Sequence, residues 1–143
     1  MNHDASLQQL IRFFETIDPD NVGLLAQVYT EDVFFKDPFN EVRGLAAVVP
    51  IFSHMFRQVD QPRFVVTSHV LQGDQAFLTW DFLFRMKRFS SAEQCIRGAT
   101  HLRFANDGRA NFHRDYWDVA EELYEKLPLL GSLMRGLKRM ARR

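Results

Sequence analysis

Two turn signals govern the second half of this chain. Gly73-Asp74 separates Arg63 to Gln72 from Ala76 to Arg88, and Asn106-Asp107-Gly108 separates Gln94 to Ala105 from Arg109 to Asp118. Gly and Asn supply the positive φ of tight hairpins. Each signal therefore predicts an antiparallel pair. Before Pro62 the apolar spacing is helical instead. A chain that changes period once must lay helices against one antiparallel sheet, which is an α+β domain.

The helical half divides into three pieces. Ser6-Leu7-Gln8-Gln9 has the form of a capping box, and Leu7, Leu10, Ile11 and Phe14 follow on one face. Asp18-Pro19-Asp20-Asn21 ends that helix, and Val22, Leu25, Val28 and Tyr29 mark a second, short one. Val33 to Lys36 reads as a strand stopped by Asp37-Pro38, because proline cannot donate to a ladder. Gly44 opens a third helix with Ile51, Phe52, Met55 and Phe56 on one face; Pro50 belongs near its first turn or kinks it. A closing helix spans Val119 to Lys126. Residues 1–127 thus form the domain, and residues 128–143 a basic amphipathic helical tail.

In that tail Leu129, Leu130, Leu133, Met134, Leu137 and Met140 can share a stripe, while Arg135, Lys138, Arg139, Arg142 and Arg143 concentrate positive charge. Such a helix suits weak contact with an anionic membrane surface, or closes the domain and complements its own dipole.

Composition removes several classes of function. With 143 residues and fourteen Phe, there is material for one core and an apolar cavity. A formal net charge of zero argues against nucleic acid as the partner. The lone Cys95 forms no internal disulfide, no spacing gathers three metal ligands, and no redox cofactor motif is present. The start of the chain lacks the basic and apolar runs of a secretion signal, so a cytoplasmic setting is expected.

Three aspartates stand inside strongly apolar words: Asp37 in Val33-Phe34-Phe35-Lys36-Asp37-Pro38-Phe39, Asp81 in Trp80-Asp81-Phe82, and Asp115 in Phe112-His113-Arg114-Asp115-Tyr116-Trp117. A carboxylate withdrawn from water is costly unless bonded, and burial moves its pKa toward the range useful for proton transfer. Each also has a plain alternative. Asp37 ends a strand and starts a turn; Asp81 pairs across the sheet with Arg97 or Arg103; Asp115 makes a structural ion pair. His113 and Trp117 share a strand face with Asp115, which makes it the foremost candidate.

Tyr29 through Pro38 with Gly44, and Gly108 through Asp118, resemble passages of the nuclear transport factor 2-like superfamily, which includes ketosteroid isomerase, limonene-epoxide hydrolase and the SnoaL-like cyclases. The resemblance implies a cone of curved antiparallel sheet wrapped around the N-terminal helices. It aligns Asp37 with the isomerase's general base, Asp115 with the epoxide hydrolase's water-activating acid, and Asp81 with that enzyme's second acid. Phe13 and Thr100 stand where the isomerase has its oxyanion hole, which disfavours steroid isomerisation, and Thr79 stands where the hydrolase has an arginine.

On this basis Asp115 and Asp81 are expected to transfer protons with His113 orienting or sharing a proton, and Asp37 to serve as a further base at the mouth. Phe13, Tyr29, Phe52, Thr79, Leu83, Thr100, Leu102 and Trp117 would line or donate into the cavity. Placing Asp81 inside puts Trp80, Phe82 and Phe84 on the outer face, where a second copy would cover them in a homodimer. Simple alternation gives the opposite phase, with the aromatic row in the core. The function expected is cofactor-independent acid–base catalysis on a compact hydrophobic molecule, of hydrolase, isomerase or dehydratase type. The alternative is a non-catalytic ligand-binding or scaffolding domain of the same fold.

Overall fold

The computed structural model describes residues 2–86, 92–122, 136–137 and 139–141. Helix α1 (Asp4–Thr16) buries Leu7, Leu10, Ile11 and Phe14 along one stripe. It begins ahead of the expected capping box. The Leu7 amide already bonds the His3 carbonyl at 2.9 Å, so Ser6 lies within the first turn and caps nothing. Asp18 then accepts from the Asp20 and Asn21 amides at 2.8 and 2.9 Å, and this turn leads into a short 3-10 helix, Val22–Gln27.

Strand β1 (Tyr29–Lys36) starts earlier than its apolar core suggested, because Tyr29 is already in register with Ala110. A three-residue strand, β2 (Glu41–Arg43), folds back on β1 and had no signal of its own. Gly44, with φ 99°, caps α2 (Leu45–Gln58), where a side chain would be strained. Pro50 lies inside α2 on its exposed side. Strands β3 (Val59–Gln72), β4 (Gln75–Met86), β5 (Glu93–Phe104) and β6 (Ala110–Tyr116) complete one six-stranded sheet, ordered β2-β1-β6-β5-β4-β3. Every pairing is antiparallel except β1 with β6, so the sheet is mixed where a wholly antiparallel one was expected. Register shifts in β3 bend the edge of the sheet over the helices. Glu15 of α1 clips that edge by accepting the Val66 amide at 3.0 Å.

The inner face corrects one expectation. Leu78, Trp80, Phe82 and Phe84 of β4 are buried with Ile96, Leu102 and Phe104 of β5, and the helices cover them. The aromatic row is therefore the inside of the curved sheet. Asp81 points the other way, in register between Val65 and Arg97. Alternation along β4 decides this: one face is wholly apolar, and it takes the core. The outer face carries Thr79, Asp81, Leu83 and Arg85, and the row offered as a homodimer contact is no longer available for it.

Helix α3 (Val119–Glu122) begins the expected closing helix, whose remainder lies outside the described residues. Of the basic tail, only residues 136–137 and 139–141 are described, all helical; its apolar stripe and membrane contact otherwise lie outside them. No helix among the described residues is long and apolar enough to cross a membrane.

Candidate active site

One line of hydrogen bonds crosses the inner face and ends on Asp115. Strands β5 and β6 put Thr100 directly opposite Asp115, and β6 beside β1 puts His113 next to Phe35. The Trp80 Nε1–H donates to Thr100 Oγ1 at 2.7 Å, and the Thr100 hydroxyl donates to Asp115 Oδ1 at 2.6 Å. From the other side, His113 Nε2 meets the same Oδ1 at 2.7 Å, and the Tyr29 hydroxyl meets His113 Nδ1 at 2.7 Å.

With Asp115 ionised and His113 neutral, the donors fix the direction of every proton. An indole N–H can only donate, so Thr100 must pass its own proton to Asp115. An ionised carboxylate can only accept, so His113 donates from Nε2 and a neutral imidazole accepts from Tyr29 at Nδ1. Burial, and then the Asp115 charge, push the Tyr29 phenol well above its ordinary value of 10.0, which keeps the Tyr29 proton in place. Four side chains thus point their protons toward one carboxylate. His113 is held in an aromatic box, stacked on Phe35 at 4.9 Å and against Phe14 and Tyr29 at 5.8 and 5.6 Å.

Asp115 also lines a cleft of about 1150 Å³ between the sheet and α2. Its side chain is 19% exposed, and among the described residues no donor reaches Oδ2, which leaves that oxygen for the cleft. Phe35, Phe52, Trp80, Phe82, Phe84 and Ile96 form the buried floor and walls. His54, Arg57 and Gln58 of α2 are exposed at its mouth.

The expected site residues divide accordingly. Asp115, His113, Thr100 and Tyr29 come together, and Phe52, Trp117 and Asp37 line the cleft. Tyr29, Thr100 and Leu102 are buried behind the cleft wall and do not line it, and Phe13 packs against the core instead. Asp37 serves as a turn: Oδ1 accepts the Phe39 and Asn40 amides at 2.8 and 2.7 Å, and the Asn40 side chain adds bonds at 3.1 and 3.2 Å.

Asp81, Thr79 and Leu83 are corrections. All three lie on the outer face of β4, and Thr79 bonds Thr67 at 2.7 Å and Ser68 there. Asp81 and Asp115 therefore stand on opposite faces and do not form an acid pair. The lining residues Trp80, Phe82, Phe84, Phe64 and Met55 were missed as such. Alternation in β4 carried the signal for the first three.

Fold and site together define an α+β domain whose curved sheet and helices enclose an apolar cleft with one networked carboxylate on its wall. The SnoaL-like domain family matches residues 10–113, and the chain belongs to that family. No curated protein matches the sequence. Among solved structures, a nuclear transport factor 2-like protein of unknown function from Burkholderia pseudomallei superposes with a TM-score of 0.71 at 16% identity, covering 85% of this chain and 95% of that one. A hypothetical protein with a ketosteroid isomerase-like fold from Catenulispora acidiphila, solved with trimethylamine, gives 0.70 at 14% identity, with 84% and 90% covered. An LEH-like epoxide hydrolase from M. tuberculosis gives 0.66 at 12% identity, with 84% and 81% covered. At these identities the likeness is one of fold.

Proposed function

We propose that this protein is a cofactor-independent enzyme that moves a proton on a compact, largely apolar molecule, with Asp115 as the group that takes and returns it. One observation carries this reading: four donors converge, directly or in relay, on a carboxylate that keeps one oxygen toward an apolar cleft. Thr100 and His113 both hold Oδ1. Proton abstraction by Oδ2 leaves Asp115 neutral beside donors already in place, and the same oxygen can return the proton to another atom of the substrate.

The distribution of acids favours one branch of this chemistry. Hydrolysis by two acids needs a second uncommitted carboxyl in the cleft. Asp81 lies on the other face of the sheet, and Asp37 is occupied by its own turn. A single acid that takes and gives back one proton suits isomerisation, elimination or cyclisation of a carbonyl compound. The SnoaL-like family membership is consistent with this.

The test is a screen of enones, epoxides and hydroxy-ketones of terpenoid size, repeated with Asp115→Asn. Turnover that Asp115→Asn abolishes, with ligand binding retained, supports the reading. If no substrate turns over and Asp115→Asn changes affinity alone, the domain is a binding module.

A further inference from the structure

The polar groups of the cleft are unequally committed. Among the described residues two carboxylates line it: Asp37, held by the Phe39 and Asn40 amides, and Asp115, held by Thr100 and His113. Most described arginines on the sheet are also engaged: Arg63 with Glu93, Arg97 with Glu122, Arg109 with Asp107, and Arg43, Arg103 and Arg114 over aromatic rings. Arg57 differs. It lines the cleft from the last turn of α2, and among the described residues its guanidinium makes no hydrogen bond or ion pair. His54 stands one helical turn before it, also lining the cleft and also without such a bond among the described residues.

A cation in the last turn complements the dipole of α2, and that accounts for Arg57 being basic. It does not account for a cation and an imidazole on one face, both lining a cleft whose buried surface is apolar. The wall at Asp115 is anionic and repels a second negative charge, whereas the Arg57 guanidinium attracts one. A ligand with an anionic end is therefore oriented by the site: charge at the mouth, apolar body along Phe82, Phe84 and Met55, opposite end at Asp115.

We infer that this cleft takes an amphipathic anion, a compact apolar molecule ending in a carboxylate, and that Arg57, with His54 beside it, binds the carboxylate and sets its orientation. A guanidinium fork matches a carboxylate in two parallel hydrogen bonds, and an apolar body lying over the site shields them from water. The inference rests on the reading of the cleft as a small-molecule site.

Citronellate and its neutral amide, citronellamide, provide a matched pair of probes. Trp80 and Trp117 both line the cleft, so tryptophan emission reports its occupation. Citronellate is expected to bind about tenfold more tightly than the amide at low salt, the range of a charge-assisted bond. Arg57→Gln should bring it down to the affinity of the amide and leave the amide unaffected. Equal affinities in the unmodified protein, no saturable binding of citronellate at millimolar concentration, or a preference that survives Arg57→Gln would each overturn the inference. Asp115→Asn separates the two readings. It should keep the acid preference, so acid preference without any turnover defeats catalysis alone. Turnover that depends on Asp115, without acid preference, defeats this inference alone.

Discussion

Trp80 lies across the sheet from Gly98, and its indole covers the glycine so closely that a Cβ there would collide with the ring. That contact lets Nε1 reach Thr100 at 2.7 Å and places the ring on the wall of the cleft. Gly98 is thus required by its neighbour's side chain, not by its own backbone angle.

Gly98→Ala should displace the ring, cost about 1–3 kcal/mol as overpacking, and weaken ligand binding through the lost Thr100 contact. Thermal denaturation together with tryptophan emission checks this. Unchanged stability and an unshifted emission maximum would refute the packing. Trp80→Glu should likewise disrupt the folded core instead of dissociating a dimer, because the ring is only 7% exposed.

The two aspartates should behave differently. Asp115→Asn keeps an oxygen that accepts from Thr100 and His113, so stability should fall by no more than about 1 kcal/mol while any turnover drops roughly 100-fold or more. Asp81→Asn, on the outer face, should change stability within about 0.5 kcal/mol and turnover not at all. Parallel denaturation and rate measurements decide; an inactive Asp81→Asn would return Asp81 to the site.

Tyr29 gives a pH signature. Its phenol is held above 10.0 by burial and by Asp115, so the unfolded chain loses this proton first as pH rises. The associated stability is fully present below that value and is lost as pH climbs from it toward the folded pKa. Tyr29→Phe should therefore flatten the alkaline limb of the Tm profile. At neutral pH it should cost about 1–3 kcal/mol, because His113 Nδ1 loses its buried donor. An alkaline limb identical in both proteins would contradict this.

His101 lies on the outer face, stacked on Phe77 at 4.4 Å and bonded to Gln75 at 2.9 Å. Desolvation, and then the Arg103 charge, lower its pKa from 6.5. The stability linked to its neutral form is present above 6.5 and is lost as pH falls through the folded value. In NMR titration its ring should protonate below 6.5, and Arg103→Gln should move the midpoint upward. A midpoint at or above 6.5 in the unmodified protein would rule this out.

Much of the architecture was legible in the chain. The helical stripe from Leu7 to Phe14, the turns at Gly73-Asp74 and Asn106-Asp107-Gly108, and the α+β order all follow from periodicity and local backbone preference, which act within a few residues. Alternation within β6 puts His113 and Asp115 on one face, and the resemblance set Thr100 in the same cavity; a register shift near the turn completes the match, and the structure brings the three together.

Alternation and the resemblance gave opposite phases for β4, and only the tertiary structure decided between them and with it the fate of each aspartate. The sequence carries no turn signal between the β4 and β5 runs, so nothing local sets Trp80 against Gly98, and a shift of one residue exchanges the two faces. The sheet took the register that buries Leu78, Trp80, Phe82 and Phe84 together, which sends Asp81 outward. Asp37 went to its own turn because the Phe39 and Asn40 amides lie within reach. Asp115 remained in the cleft because Thr100 and His113, brought from two strands, supply the hydrogen bonds that a withdrawn carboxylate needs, with Tyr29 of a third strand holding His113.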